Sequence, residues 1–233
     1  MVRNLILRYS KEWDTLLDPM VWGGTTAIEC KLLDRKLIAF DVNPLAVELT
    51  KNALDFEKEE ISNRFLPSQE WQKEQEWQKE EDQDWEENIQ IHLWDARKLL
   101  QKIKGESIDF VLMHPPYADI ISYSEGKIED DLSNIHNLDD FADEIQKIAK
   151  ESLRVLKPWK YCAILMGDTR RKKMYKPLAF KVMQKFLKEG FELKEDIVKV
   201  QHNCQATGFW VKKSKDFNFL LIMHEHLFIF QKS

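Results

Sequence analysis

Short apolar runs and helically spaced apolar residues alternate along the chain. The short runs predict buried strands at 15–19, 36–41, 89–94, 108–113 and 161–167. The helical spacings predict helices at 26–35, 44–56, 96–103, 138–156 and 177–190. Two further strands are predicted near 191–200 and 217–230. The pattern therefore predicts seven strands with helices between most of them.

Such an alternation is typical of a parallel sheet that is covered by helices on both faces. We therefore predict an α/β fold with a seven-stranded, mostly parallel sheet, in which the last two strands pair as a C-terminal antiparallel hairpin. In sheets of this kind, ligands bind outside the carboxyl ends of the strands, at the point where the strand order reverses. Candidate functional residues are expected directly after the strands.

The size and composition of the chain indicate one domain. Its 233 residues are 43% hydrophobic, which is enough to bury one core, so we predict a single domain over 1–233 with no separate target recognition domain. Cys30, Cys162 and Cys204 are odd in number and widely spaced, which argues against a disulfide framework. No apolar run approaches the ~20 residues of a membrane span. We expect a cytoplasmic protein that does not bind membranes.

The net charge of −5 is unevenly distributed. Residues 62–87 are interpreted as an acidic, low-complexity insert, and 57–87 carry twelve acidic and four basic side chains. In contrast, 157–215 carry fifteen basic and five acidic side chains. A run of charges is usually a solvated face, but a basic third of the chain is compatible with a nucleic-acid backbone as partner.

Four predicted strands end in residues that suit a nucleotide-like ligand. The first ends in DPMVWGGTT, 18–26, a glycine-bearing turn that opens a helix with free N–H groups. The second ends in Asp41, which is suited to a pair of ribose hydroxyls, and the third is followed by Asp95. The fourth runs directly into HPPY, 114–117. Each signal is weak alone, but together they predict one ligand site at this edge of the sheet.

In this order, the motifs resemble those of S-adenosylmethionine-dependent DNA amino-methyltransferases. Residues 16–50 are similar to the cofactor motif of that family, and HPPY matches its (D/N/S)PP(Y/F) motif except at the first position. The similarity continues through LRVLKPWKYCAILMGDTR and HEHLFIF. The resemblance implies a class I, Rossmann-like methyltransferase fold, S-adenosyl-L-methionine as cofactor and duplex DNA with a flipped target base as substrate.

The resemblance also implies roles for individual residues. His114 and the carbonyl of Pro115 would accept hydrogen bonds from the target amino group, while Pro116 stiffens the bend and Tyr117 stacks on the base. The implied cofactor-binding residues are Asp18, Pro19, Gly23, Gly24, Thr25, Thr26, Asp41, Asn43, Asp95 and Ala96. The implied nucleic-acid-binding residues are Tyr123, Arg170, Arg171 and Lys172.

The histidine in HPPY affects both pH dependence and base choice. A neutral imidazole has one acceptor nitrogen and a protonated one has none, so we expect activity to fall as His114 becomes protonated. Asp at this position usually accompanies adenine and Ser accompanies cytosine; His settles neither, and we favour adenine. Cytosine C5 methylation needs a cysteine after proline, and the chain has no Pro-Cys pair.

Methyl transfer of this kind depends on alignment, so neither a metal nor a covalent intermediate is expected. His224 and His226 lie on one face of a predicted strand, but no third ligand is expected nearby, so no metal site is predicted. An RNA amino-methyltransferase and a catalytically degenerate nucleic-acid-binding protein remain as alternatives. Target choice could reside in the loop 118–137, the insert, the basic third, a specificity partner or a homodimer, and restriction-modification is one candidate role.

Four tryptophans occupy positions where the family has glycine: Trp13, Trp22, Trp94 and Trp159. Glycine is needed there for positive φ or for close approach to the cofactor, and an indole at Trp22 or Trp94 is expected to occupy the cofactor's volume. The chain has eight Trp and seven Gly, although Gly ordinarily makes up ~7% of residues. We hypothesise that these four tryptophans correspond to UGA codons that the native organism reads as glycine. The alternative is a working enzyme with four large aromatic residues at these positions.

Overall fold

The computed structural model describes residues 1–56, 85–101, 103–118, 124, 126–201 and 207–233. The strands are β1 Thr15–Asp18, β2 Lys36–Asp41, β3 Ile89–Leu93, β4 Ile108–Met113, β5 Leu156–Gly167, β6 Thr169–Arg171, β7 Met174–Lys176, β8 Phe191–Val200 and β9 His224–Lys232. The helices are α1 Val2–Tyr9, α2 Thr25–Leu32, α3 Pro44–Asn52, α4 Trp85–Asn88, α5 Leu138–Val155, α6 Leu178–Glu189 and α7 Thr207–Phe217. Short 3₁₀ segments lie at Ala96–Gln101 and Leu132–Asn134.

Seven strands form one sheet in the order β3-β2-β1-β4-β5-β9-β8. β1 to β5 pair in parallel, whereas β9 runs antiparallel to both β5 and β8. The predicted α/β fold, a mostly parallel seven-stranded sheet with a closing antiparallel hairpin, is confirmed. The strand order reverses between β1 and β4, so the ligand crevice is expected at their carboxyl ends.

β4 shows how the sheet separates two cores. All six of its residues are buried, and successive side chains point to opposite faces. Val111 and Met113 join one core with helices α5 and α6, whereas Phe110 and Leu112 join the other with α1 and α2. The helices therefore cover both faces, as predicted.

Two predicted elements are wrong in detail. The helix expected at 96–103 is a 3₁₀ segment, because the backbone at Lys98 leaves the helical region (φ −104°, ψ 16°). The strand expected at 217–230 begins only at His224, because α7 ends at Phe217 and Asn218 turns the chain with φ 51°. The apolar run between them resembled a strand, but it does not pair with the sheet. Helix α1 and the β6–β7 hairpin were not predicted.

Three of the four tryptophans at glycine positions have left-handed backbone conformations. The φ angles are 65° at Trp13, 36° at Trp22 and 64° at Trp159. The left-handed region costs roughly 1–2 kcal/mol for a residue with a side chain, and Trp159 follows a proline as glycine does in type II turns. Trp94 is not among the described residues with positive φ. The conformational part of the glycine hypothesis therefore fits three of the four positions.

Residues 57–84, and with them most of the acidic insert predicted at 62–87, lie outside the described residues. Among the helices that are described, none is both long enough and apolar enough to span a bilayer.

Candidate active site

The carboxyl ends of four neighbouring strands meet at one rim of the sheet. Leu17 of β1 pairs with Val111 of β4, and Met113 of β4 pairs with Ile164 of β5. Because β9 is antiparallel, its first residues lie at the same rim as the end of β5. The glycine-bearing turn after β1 and the HPPY segment after β4 therefore follow adjacent parallel strands, as the sequence predicts.

The turn after β1 is held by Asp18, which is buried. Its Oδ1 accepts the Met20 N–H at 3.0 Å. Burial raises the pKa of Asp18 to about 6, although hydrogen bonds from Thr26 and Met20 oppose the rise. The turn ends at Gly24, which has φ 78° and precedes α2. The positive φ favours glycine at this position, and a side chain would also place its Cβ 3.0 Å from Thr50 Cγ2.

Asp41, at the end of β2, links the two halves of the predicted cofactor motif. Its Oδ2 accepts the Trp22 N–H at 3.1 Å, and its Oδ1 accepts the Asn43 N–H at 2.9 Å. Burial raises the pKa of Asp41, and these two backbone hydrogen bonds oppose the rise. Asn43 caps α3, since its side chain accepts the Leu45 N–H at 3.0 Å. Trp22 takes part through its backbone, and its side chain is 42% exposed.

A hollow of about 290 Å³ lies beside the ends of β2 and β3. Its walls include Val42, Leu93, Trp94 and Asp95. Asp95 Oδ1 accepts the Arg97 backbone N–H at 2.8 Å and its side-chain Nε–H at 3.0 Å. The indole of Trp94 thus forms part of the wall at the place where the sequence analysis expected it to compete with the cofactor.

The described residues fit S-adenosylmethionine in two respects. The glycine turn opens the N-terminus of α2, and Gly24 has no Cβ that would fill the space beside Thr50. The hollow at the ends of β2 and β3 is lined by the apolar side chain of Leu93 and by the carboxylate of Asp95, which suits a purine ring with an exocyclic amino group.

A second hollow, of about 460 Å³, opens at the ends of β4 and β5 and at the start of β9. His114, Pro115 and Tyr117 of the HPPY segment line it. Gly167, Trp210, Met223 and Glu225 also line it. Three of the four predicted catalytic residues, all but Pro116, therefore surround a space large enough for a nucleobase.

Four side chains form a continuous hydrogen-bonded relay in this hollow. His114 Nε2 lies 2.7 Å from Tyr117 Oη, which donates to Glu225 Oε1 at 2.6 Å. Lys199 Nζ donates to Glu225 Oε2 at 2.5 Å. Because the Tyr117 hydroxyl has one proton and gives it to Glu225, its oxygen accepts from His114, so Nε2 of His114 carries the proton. Nδ1 is therefore the acceptor nitrogen of the neutral ring.

The relay sets the charge of its members. Burial alone would raise the pKa of Glu225, but hydrogen bonds from Lys199 and Tyr117 outweigh it and lower the pKa below the usual range. His114 is exposed at the mouth of the hollow, yet loss of hydration lowers its pKa, while the Glu225 charge opposes this and the Lys199 charge adds to it. The pair at neutral pH is thus a carboxylate and a neutral imidazole.

Gly167, at the end of β5, determines where the Tyr117 ring lies. A Cβ at this position would be 2.6 Å from Tyr117 Cε2, so the ring lies directly against the glycine backbone. Sequence reasoning missed Gly167, Glu225 and Lys199. The only sequence signal was that Gly167 and Glu225 fall within the segments that resemble the family, and neither carries a recognisable motif by itself.

The predicted nucleic-acid-binding residues have different environments. Arg170 donates to the carbonyls of Lys173 and Leu220, both at 3.0 Å, and Arg171 donates to the carbonyl of His136. Lys172 is exposed in the β6–β7 turn, and Tyr123 lies outside the described residues. Both arginines therefore hold segments of this protein together, and contact with phosphate stays a prediction.

The expectation that no third ligand lies near His224 and His226 is wrong. Asp168 lies beside them, and one ligand atom from each of the three residues falls within 4.8 Å of the others. The contacts of Asp168 indicate a structural role, since it accepts the Ala179 N–H at the start of α6 at 2.8 Å and the Tyr175 hydroxyl. His226 Nδ1 lies 3.0 Å from Asp196 Oδ1.

Comparison with known proteins finds two overlapping family matches. Residues 108–233 match a DNA methylase family of N6 and N4 specificity, and residues 6–151 match the RMKL-like methyltransferase domain. The type II methyltransferase M.HpaI of Haemophilus parainfluenzae is 40% identical over 57 residues, which are 24% of this chain. The matched region spans 18% of that relative's length.

Solved structures show the same fold. A SAM-dependent methyltransferase from Methanosarcina mazei has 14% identity and a TM-score of 0.59, covering 98% of this chain and 96% of its own. TrmN from Thermus thermophilus has 16% identity and a TM-score of 0.57, and the match covers 100% of this chain and 48% of TrmN. An rRNA methylase from Streptococcus thermophilus has 13% identity and a TM-score of 0.53, and the match covers 100% of this chain and 94% of that methylase. These likenesses show the class I methyltransferase fold.

Proposed function

The chain belongs to the S-adenosylmethionine-dependent DNA amino-methyltransferase family, and from this premise we propose that it methylates the exocyclic amino nitrogen of adenine in DNA, with cytosine as the second candidate base. The observation that carries the proposal is the relay. It fixes one acceptor nitrogen of His114 at the end of β4, in a hollow that can hold a base.

The role of His114 is to orient the target amine. Nδ1 accepts one amino hydrogen, and the resemblance assigns a second acceptor to the carbonyl of Pro115. Two acceptors turn the lone pair of the nitrogen out of the plane of the base. Pro115 and Pro116 have no N–H groups that would compete for the base, and their fixed φ angles limit backbone movement. The reaction is then accelerated mainly by alignment.

S-adenosylmethionine, when bound, would supply an electrophilic methyl group. The amine lone pair would form the new C–N bond while the C–S bond breaks, and the electron pair of the C–S bond would stay on sulfur. The amine nitrogen then carries a surplus proton, which lies in the hydrogen bond to His114 Nδ1. Transfer to Nδ1 produces an imidazolium, and Tyr117 couples it to the negative charge of Glu225. The relay thus both orients the amine and stabilises the proton that it loses.

The test compares His114→Ala with His114→Asn in a methylation assay with labelled cofactor. We expect alanine to lower kcat/KM about a hundredfold or more, because it removes the acceptor. Asparagine keeps an acceptor oxygen that orients the amine and does not titrate, but it cannot take up the proton, so it should retain part of the activity. The wild type should lose activity as the pH falls below about 6.5, since the pKa of His114 is lowered. His114→Asn should not show this acid limb.

Substrate and base are read from the same reactions by mass spectrometry of the digested nucleosides. N6-methyladenine in duplex DNA supports the proposal, and N4-methylcytosine selects the second base. Structured RNA is the second candidate substrate, because exposed aromatic side chains border the hollow and unpaired RNA bases stack on such groups. Equal activity of wild type and His114→Ala on every substrate would contradict the proposed role of the relay.

A further inference from the structure

Helix α7 has an unusual surface for a helix of a folded domain. None of its residues is buried, although it contains Phe209, Trp210, Val211 and Phe217. Phe209 is 59% exposed and Trp210 is 45% exposed. A helix with large apolar side chains normally buries one face against its neighbours. The aromatic side chains of α7 are therefore available for contact with a partner.

The surface around these aromatic side chains is basic. The adjoining hairpin, 169–176, carries five basic side chains and no acidic one, and α7 carries three basic and one acidic, in a chain of net charge −5. The two signs of charge are thus separated along the chain. Charge complementarity favours a polyanion over a second copy of this acidic chain.

Cations and rings are interleaved on this surface. Lys213 Nζ lies 5.5 Å from the Phe209 ring centroid and 5.4 Å from that of Phe217. Lys173 Nζ of the hairpin lies 4.2 Å from the same Phe217 centroid. Arg170 lies 4.3 Å from the Phe219 centroid and bonds the carbonyl of Leu220, which joins the hairpin to the segment after α7.

The surface is continuous with the hollow that holds His114. Thr207, Trp210, Arg170 and Phe219 all line that hollow. A nucleotide next to a base in the hollow would therefore reach α7 first. Duplex DNA presents phosphates and groove edges with its bases stacked inside, whereas an unpaired strand offers base faces to aromatic side chains and phosphates to lysines.

We propose that α7 and the β6–β7 hairpin bind the unpaired nucleotides that flank the target base, with Trp210 as the stacking platform. This inference rests on the proposed function, which puts the target base in the hollow beside His114. DNA and RNA strands share the chemistry that is recognised here. The surface thus assigns a preference for single-stranded or locally opened nucleic acid to this protein.

The test measures binding of the full chain, without cofactor, to a fluorescent single-stranded DNA, the same sequence as duplex, and the corresponding RNA. We expect the single strands to bind more tightly than the duplex. Trp210→Ala should weaken single-strand binding by about tenfold, which is a typical effect of losing one stacked base. Trp159→Ala is the matched control, since that indole is 69% exposed but lies near the start of β5, and it should have no effect.

The electrostatic part is tested by Lys173→Gln and Lys213→Gln. Each is expected to reduce the slope of log affinity against log salt by about one. Equal affinity for duplex and single strand, with Trp210→Ala unchanged, would overturn the inference. So would a sedimentation result in which wild type is a dimer and Trp210→Ala a monomer, since a second copy would then cover α7.

The two proposals fail in different ways. The inactive His114→Ala variant should still bind the single strand more tightly than the duplex, and this preference should still depend on Trp210. Loss of methylation with this binding intact contradicts the enzymatic proposal only. Methylation of duplex DNA with no contribution from Trp210 contradicts the inference about α7 only.

Discussion

Carboxylates that accept backbone N–H groups shape the cofactor turn after β1, whereas the 460 Å³ hollow depends on side chains bonded to one another. Asp41 bonds a residue two positions away and one 19 positions away. Tyr117 and Glu225 are 108 positions apart. The turn is thus held by residues from one continuous stretch of chain, 18–43, while the relay in the hollow requires β4, β8 and β9 to come together.

The difference also separates stability from catalysis. In the turn after β1, the carboxyl of Asp18 is buried and its pKa is raised to about 6. In the second hollow, the carboxyl of Glu225 has its pKa lowered by Lys199 and Tyr117. We therefore expect substitutions in the first region to change the pH dependence of folding, and substitutions in the second to change the pH dependence of the reaction.

The largest expected effect is on folding, from Asp18→Asn. A pKa raised from 3.8 to about 6 means that Asp18 contributes stability fully below pH 3.8 and loses it as the pH rises through 6. Relative to wild type, the asparagine variant should gain roughly 2 kcal/mol between pH 4 and pH 7. Urea unfolding at several pH values measures this. Exposed Asp216→Asn is the control, and a parallel pH dependence in both variants would show that burial of Asp18 has no such effect.

Gly167→Ala tests the position of the Tyr117 ring. The new Cβ would lie 2.6 Å from Tyr117 Cε2, so the ring must move and the relay must break. We expect a loss of about 1–3 kcal/mol in unfolding free energy, together with lower activity. Gly105→Ala is the matched control, because its nearest neighbour is an ordinary 3.5 Å away. An active Gly167→Ala enzyme would remove Tyr117 from the mechanism.

Glu225→Gln tests the relay while keeping its shape. The Glu225 charge raises the pKa of His114, so its removal should move the acid limb of the pH–rate profile to lower pH. At neutral pH the rate should fall about tenfold, because the Tyr117 proton is no longer drawn to a carboxylate and can be shared with His114 Nε2. Nitrogen NMR of His114 should change from an Nε2–H form to a mixture. Exposed Glu192→Gln should leave both measurements unchanged.

The smallest expected effect concerns the left-handed tryptophans. Trp159→Gly should stabilise the protein by up to about 1 kcal/mol, since positive φ is more costly than the added chain entropy. Trp210→Gly is the control, and it should change stability in the opposite direction. Trp210 lies within α7, where glycine should lower the free energy of unfolding by about 1 kcal/mol. Thermal unfolding compares the two. If both variants lose stability equally, the indole at 159 contributes packing that outweighs its backbone conformation.

The strands and the cofactor turn could be predicted because their signals are local. Asp18, Gly24 and Asp41 lie at strand ends within one motif, and the sequence pattern alone places them on one rim. Gly167 and Glu225 could not be found in this way, since their roles appear only when β9 pairs with β5. Helix α7 was missed because the apolar run after it joins the strand pattern of β9 without any proline or glycine between them.

The position of β9 has a consequence for how the molecule assembles. This strand fills the gap between β5 and β8 and runs against both of them. The β1–β2 pair that holds the cofactor turn joins residues 21 positions apart, whereas the β5–β9 pair joins residues 58 to 70 positions apart, so the first closes a shorter loop and should assemble sooner. The cofactor turn is then expected to form before β9 is in place beside β5. Docking of the antiparallel strand would complete the reactive centre in a single late event.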